Sequence, residues 1–168
     1  MDNYSKSIAI LGGGIAGLSL GCTLLKEDIP AVIFEKMSEE TSHGAAISLS
    51  SNALRLLDRL DIYNELRNKS FIHSQASIQG PKKSICSFNT PEVLTTRRQT
   101  LMTLLYSRFK SLGGDINFDH TLINFDAKKS ELTFSNNKKY SFKHLAACDG
   151  IRSSIRDSFF QANQNPKY

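Results

Sequence analysis

Three glycines and one carboxylate carry the chemistry most plainly written in this chain. Gly12-x-Gly14-x-x-Gly17 follows the apolar run at residues 8–11, and Glu35 ends a second apolar run, residues 31–34, 18 positions beyond Gly17. Glycine at the first position allows a tight turn. At the second it lets backbone approach a phosphate, and at the third it lets a helix lie close on a strand. The helix N-terminus after such a turn supplies free N–H groups and partial positive charge for phosphates. A carboxylate at position 35 would accept hydrogen bonds from ribose hydroxyls, a charge-assisted bond contributing about 1.5–3 kcal/mol. Strand, glycine turn, helix, strand and acid in this order predict a socket for the adenosine and pyrophosphate of a dinucleotide.

A second segment, residues 145–156, repeats that logic. A buried strand ends at Asp149, Gly150 permits a sharp turn, and a helix begins near Ser153. Asp149 is thereby placed at the carboxyl end of a strand, where ligands of open α/β sheets collect. Taken alone, the segment also allows Asp149 to be a turn residue.

The elements that must position these residues follow from periodicity. Leu18, Cys22 and Leu25 share one face of a helix predicted over residues 15–26, which Asp28-Ile29-Pro30 ends. Residues 38–43 read as a loop. Ser51-Asn52 are expected to cap a helix that buries Ala53, Leu54, Leu57 and Leu60. Residues 75–79 and 84–88 suggest a hairpin about a turn at 80–83. A long helix over residues 98–112 carries the stripe Leu101, Leu104, Leu105, Phe109 and Leu112, and Gly113-Gly114 stop it. Short strands are expected at 115–118, 121–126, 131–135 and 139–142, with Asn136-Asn137 as a hairpin turn. A strand at 145–148, a helix at 153–160 and a coil tail at 161–168 complete the chain.

Composition narrows the function classes. Hydrophobic residues at 40% and charged residues at 22% suit a globular domain rather than a disordered chain. The net charge of +5 is spread out, and the pairs Lys82-Lys83, Arg97-Arg98 and Lys138-Lys139 lack interleaved aromatics, so no nucleic-acid partner is expected. Cys22, Cys86 and Cys148 lie far apart, and His43, His73 and His120 are isolated; His144 and Cys148 fall on a strand entering a turn. Neither a disulfide framework nor a metal site is expected, and this cysteine usage suits a reducing cytoplasm. Residues 8–25 carry no charge, long enough to suggest a signal peptide or membrane span. Yet the charged side chains before them are only Lys6 and Asp2, the glycines keep dinucleotide register, and Ser19 spoils the lipoprotein pattern at Gly21-Cys22. No stable membrane insertion is expected.

Two coincidences are set aside. Tyr106-x-x-x-Lys110 spells a short-chain dehydrogenase pair, but the apolar stripe of its helix already accounts for the spacing. Ser153 and Ser154 near Asp149 and His144 lack the glycine-flanked nucleophile elbow of a hydrolase.

Together the motifs resemble the FAD-dependent aromatic-ring hydroxylases, the para-hydroxybenzoate hydroxylase-like flavoprotein monooxygenases, over nearly the whole chain. Gly12-x-Gly14-x-x-Gly17 with Glu35 matches the family's first FAD fingerprint, and residues 44–49 with Asn52-Ala53-Leu54 look like its next block. Arg98-x-x-Leu101 matches an arginine that contacts FAD, and Asp149-Gly150 with Ser153 and Arg156 matches the family's Asp-Gly motif. The resemblance implies a Rossmann-like α/β FAD-binding fold, a parallel sheet with an inserted antiparallel hairpin or meander. FAD would be the cofactor, NADH or NADPH the electron donor, and a small organic, often aromatic, compound the substrate to be hydroxylated. It implies that backbone at Gly12, Gly14, Ile15, Ala16 and Gly17 holds the pyrophosphate. Glu35 would bind ribose with Lys36 beside it, Arg98 would offer positive charge near the phosphates or ribityl chain, backbone near Leu122 would pack by the adenine, and Asp149 would contact FAD or position the nicotinamide cofactor. No side chain is nominated as catalytic, because the oxygen chemistry belongs to the cofactor.

Departures from the family pattern are equally specific. Ala147 and Cys148 replace the usual Gly-Ala before Asp-Gly, and Thr41 stands where many members carry an arginine. The chain ends where members continue into the substrate-binding sheet, so residues 1–160 are expected to be the FAD-binding domain of an N-terminal portion, with substrate-domain strands begun near 75–88. An uncovered sheet edge and apolar face would then favour self-association or a separate C-terminal chain, and weak FAD retention. A nucleotide-binding module without turnover and an NAD-dependent oxidoreductase remain the alternatives.

Overall fold

A computed structural model of the chain describes residues 3–38, 45–81 and 83–160. Thr41, Gly44 and the tail at 161–168 lie outside the described residues. The chain divides into two compact units, one built from residues 1–42 and 105–168 and the other from 43–104.

The first unit is built on a six-stranded sheet. Strand β1 (Asn3–Leu11) leads through helix α1 (Ile15–Lys26) to β2 (Ala31–Phe34). The later strands are β6 (Asp115–Asn117), β7 (Leu122–Asp126), β8 (Glu131–Phe134) and β9 (Lys139–Ala147), followed by helix α5 (Ser154–Phe160). Spatial order is β6-β2-β1-β9-β8-β7. The β1–β2, β2–β6 and β1–β9 pairs are parallel, whereas β7–β8 and β8–β9 are antiparallel, so a parallel half continues into a meander. All four β2 residues are buried, the pattern of a strand covered on both faces. One face packs Ala9, Leu11, Val32 and Phe34 against Leu132, Phe134, Tyr140, Phe142 and Ile155. The other carries Ile10 and Ile33 toward α1 and Phe109. A Cβ on Gly17 would sit 3.3 Å from the Ile10 side chain, and one on Gly21 would sit 2.6 Å from the Phe109 ring.

The second unit is built on a three-stranded antiparallel sheet, β3 (Ala46–Leu49), β5 (Ser84–Arg97) and β4 (Phe71–Gln79) in spatial order, with helices α2 (Ser51–Arg59) and α3 (Tyr63–Asn68). Helix α4 (Arg98–Ser111) leads from this unit into the first.

Most expected elements are present, with four corrections. The strands expected at 139–142 and 145–148 are one strand, β9. Its first residues pair with β8 and its later ones with β1, and exposed Lys143 and His144 mark a surface stretch rather than a break. The N-cap of α2 is Ser50, with no side-chain cap bond; Asn52 Oδ1 instead accepts from the Arg55 guanidinium. The hairpin strands run longer than expected, from Phe71 and to Arg97, because two irregularities at His73/Gln75 and Ile78/Gln79 interrupt the alternation that a sequence reading follows. Strand β3 and helix α3 carry no signal beyond a short mixed run. The stop at Gly113-Gly114 is as expected. Gly113 adopts φ +81°, its N–H donates to the Lys110 carbonyl and that of Gly114 to Phe109, a Schellman end.

Candidate functional site

The carboxyl ends of β1, β2 and β9 converge on a crevice of about 380 Å³. Its lining includes Gly12 and Gly14 from the turn after β1, Glu35 and Lys36 after β2, Leu122 of β7, and Cys148, Asp149 and Gly150 after β9. This is the position where open α/β sheets hold their ligands.

The turn itself explains its glycines. Gly12 has φ +99°, and a Cβ there would lie 2.4 Å from the Cys148 carbonyl oxygen. At Gly17 a Cβ would meet the Gly12 carbonyl oxygen at 1.9 Å, so α1 approaches its own turn only because that residue lacks a side chain. Around Gly14 nothing lies within 4 Å of a Cβ position, and the residue opens on the crevice. The first helical bond runs from the Leu18 N–H to the Gly14 carbonyl, 2.9 Å, so the amides of Ile15, Ala16 and Gly17 precede the ladder.

Glu35 is held from four directions. Its N–H donates to the Asn117 carbonyl at 2.9 Å and its carbonyl accepts the His120 N–H at 2.9 Å. The side-chain Oε2 accepts the Gly13 N–H at 2.6 Å and Oε1 accepts the Met37 N–H at 2.8 Å. Each carboxylate oxygen carries two lone pairs, so one acceptor position per oxygen remains for a further donor.

Asp149 serves the opposite wall and a helix at once. Its Oδ2 accepts the Ser154 N–H at 2.9 Å, while the Ser153 hydroxyl oxygen accepts the Arg156 N–H at 3.0 Å and caps α5. Arg156 is turned to the Ile151 carbonyl and to Asp157. Burial, and then the neighbouring Asp149 charge, raise the Cys148 thiol above its ordinary pKa of 9.0.

The structure therefore brings Gly12, Gly14, Glu35, Lys36, Leu122 and Asp149 to one crevice, with Ile15, Ala16 and Gly17 at the helix that opens on it. Arg98 lies in the second unit, where it starts α4 and its N–H donates to the Ala45 carbonyl, and its role toward a cofactor rests on resemblance alone. Tyr106 packs on Phe118, in keeping with a structural tyrosine, and Ser153 is committed to its cap. His120, Thr121 and Arg152 also line the crevice and escaped the sequence reading. Arg152 stands two residues after Gly150 and was within reach of the motif; His120 has no local pattern, because only the strand register brings it beside Glu35. Among the described residues no cluster fit for a metal is present, and no helix is long and apolar enough to cross a membrane.

Known proteins share this chain's sequence pattern and fold. A family model described as FAD binding domain matches residues 5–165. Monooxygenase 1 of Arabidopsis thaliana is 31% identical over 164 residues, covering 93% of this chain and 41% of the plant protein. The FAD-dependent monooxygenase janM of Penicillium janthinellum is 27% identical over 176 residues, covering 98% of this chain and 37% of its own length. Among solved structures, the tetrameric form of 2-methyl-3-hydroxypyridine-5-carboxylic acid oxygenase has a TM-score of 0.83 at 25% identity and covers 92% of this chain and 42% of that one. PqsL of Pseudomonas aeruginosa, at 14% identity and a TM-score of 0.86, shares the fold, covering 99% of this chain and 48% of its own. The chain spans about two fifths of the length of the curated relatives it matches.

Proposed function

The chain belongs to the FAD binding domain family, and from that premise we propose that its crevice holds the adenosine and pyrophosphate of FAD in the service of a flavin monooxygenase reaction on a small organic substrate. The residues present fit the group. A cradle that a side chain at Gly14 would fill faces free helix amides, and a carboxylate stands beside it with acceptor capacity to spare. FAD, when bound, supplies the redox chemistry, with NADH or NADPH as the electron donor.

The chain's own residues bind and orient. The amides of Ile15, Ala16 and Gly17, at the positive end of α1, take the pyrophosphate, and the turn at Gly12 and Gly14 leaves it room. Glu35 accepts the adenosine ribose hydroxyls. Lys36 sets a positive charge beside them, and the backbone at Leu122 packs on the adenine. Asp149 fixes the start of α5 and presents its carboxylate to the cofactor or to bound nicotinamide.

The observation that carries this reading is the direct bond between the phosphate turn and the ribose carboxylate, Gly13 to Glu35. Titration with FAD, ADP and FMN tests it. FAD and ADP should compete, and FMN, which lacks adenosine, should bind at least about tenfold more weakly, the loss of one charge-assisted hydrogen bond or more. Equal affinity for FMN and FAD, or no affinity for FAD, sinks the reading.

A further inference from the structure

We propose that His120 is a positioning residue for ribose recognition, acting through Glu35; the proposal rests on the FAD reading above. His120 is only 6% exposed, yet it is one of the residues that line the crevice. Both ring nitrogens are engaged with protein. Nδ1 lies 2.5 Å from the Phe118 carbonyl oxygen, which can only accept, so Nδ1 carries the proton. Nε2 then accepts from the Tyr140 hydroxyl at 2.9 Å, and the Asn136 amide nitrogen lies 3.3 Å from the same atom. That Asn136 nitrogen donates to the Asp119 carbonyl, which fixes its role as donor.

The imidazole thereby ties the segment after β6 to the β8–β9 turn and to β9. The same residue's N–H holds the Glu35 carbonyl, and its ring lies 5.7 Å from that of Phe34, the residue before Glu35. No ring nitrogen is left to meet a ligand, so His120 influences one only through what it holds. What it holds is the strand tip that aims the carboxylate, together with the wall at Thr121 and Leu122. A loosened imidazole leaves Glu35 attached to Gly13 but free to shift relative to the sugar, and placement within about half an ångström is what such a site needs.

The test is the preference for ADP over 2′,3′-dideoxy-ADP, which isolates the ribose hydroxyls and is not moved by a change in the folded fraction. The wild-type chain should prefer ADP by about tenfold or more, the order of one charge-assisted bond. His120→Leu should reduce that preference below about threefold, and His120→Asn, whose amide can donate to the Phe118 carbonyl, should regain part of it. If His120→Leu does not fold, Tyr140→Phe carries the test, because it removes the hydroxyl at Nε2 and keeps the ring; it too should lower the preference. A folded His120→Leu or Tyr140→Phe protein with undiminished preference overturns the proposal and leaves the FAD reading standing. A wild-type chain that binds no ADP, or shows no ribose preference, overturns the FAD reading and this proposal with it.

Discussion

The Gly13 N–H donates to Glu35 Oε2 across 2.6 Å, so the turn after β1 and the tip of β2 hold each other. A Cβ on Gly13 would stand 3.2 Å from that of Glu35, so the two backbones approach as closely as a side chain allows. The proposed phosphate turn and the proposed ribose carboxylate are joined directly by a hydrogen bond. Substitutions at Glu35 should therefore act on both halves of a bound dinucleotide.

Glu35→Ala removes the proposed ribose acceptor and the brace for the Gly13 amide together. FAD affinity should fall at least about tenfold, from the loss of about 1.5–3 kcal/mol for a charge-assisted bond. Glu131→Ala is the control. Glu131 pairs with Lys139 at 3.2 Å on the meander surface, where an ion pair contributes about 0–1 kcal/mol, and FAD affinity should not change. Calorimetric titration compares the two; equal losses would remove Glu35 from the site.

Gly14→Ala and Gly17→Ala should separate binding from folding. At Gly14 the backbone is extended, with φ −75°, and an alanine Cβ meets nothing within 4 Å, so the thermal midpoint should stay near wild type while FAD binding is lost. At Gly17 the Cβ would strike a backbone oxygen at 1.9 Å, and α1 must move off its turn. Overpacking of this kind costs typically about 1–3 kcal/mol or more. Gly17→Ala should lower the midpoint by several degrees; thermal scans with and without FAD read both effects.

How much of this was legible in the sequence follows from how local each signal is. The β1–turn–α1 unit and Glu35 could be read because their spacing is set by one turn and one strand length, and α1 has the expected bounds, Ile15–Lys26. Asp149 could be read because strand, acid and glycine adjoin in the chain. Its grip on α5 through Ser154 could not, since a carboxylate five residues before the amide it accepts lies outside the local capping pattern. His120 was invisible for a different reason. Its place beside Glu35 depends on β2 and β6 pairing in the register Phe34 to Asn117, a contact across more than eighty residues.

Asp149→Ala should fray α5 as well as alter the crevice. Losing the acceptor for the Ser154 N–H costs about 0.5–2 kcal/mol by analogy with N-cap removal. Amide exchange at Ser154 and Ile155 should quicken at least about tenfold if the cost reaches 1.4 kcal/mol, while exchange in β1 and β2 stays at the wild-type rate. Asp149→Asn, which keeps a side-chain oxygen, should show a smaller change. Unaltered exchange in the alanine variant would mean that Ser153 alone holds the helix start.

The three thiols should report on crevice occupancy. Cys86 is exposed, Cys148 is partly buried beside Gly12 and Asp149, and Cys22 is buried in the core. At pH 8 an alkylating reagent should label Cys86 first. Cys148 should follow slowly, because burial and the Asp149 charge disfavour its thiolate. Saturating FAD or ADP should slow labelling at Cys148 and leave Cys86 unaffected, read by mass spectrometry of the peptides. Protection at neither residue would place the nucleotide away from this crevice.

Cys22 gives the chain an alkaline limit whose sign is fixed by burial. It is fully buried, its Sγ donating to the Leu105 carbonyl at 3.6 Å, and burial, opposed in part by the Arg108 charge, raises the thiol from 9.0 to about 11. The folded state therefore keeps a proton that the unfolded chain gives up from about pH 9. Its contribution to stability is fully present below pH 9 and is lost as pH rises toward 11. Urea midpoints at pH 8, 9.5 and 10.5 should fall more steeply for the wild-type chain than for Cys22→Ala. Lysines and tyrosines titrate over the same range, but they are common to both proteins, so the difference in slope belongs to Cys22. Parallel slopes would mean that water reaches the thiolate in the folded state and that the α1 face is less tightly closed than its packing on Ile33 and Phe109 requires.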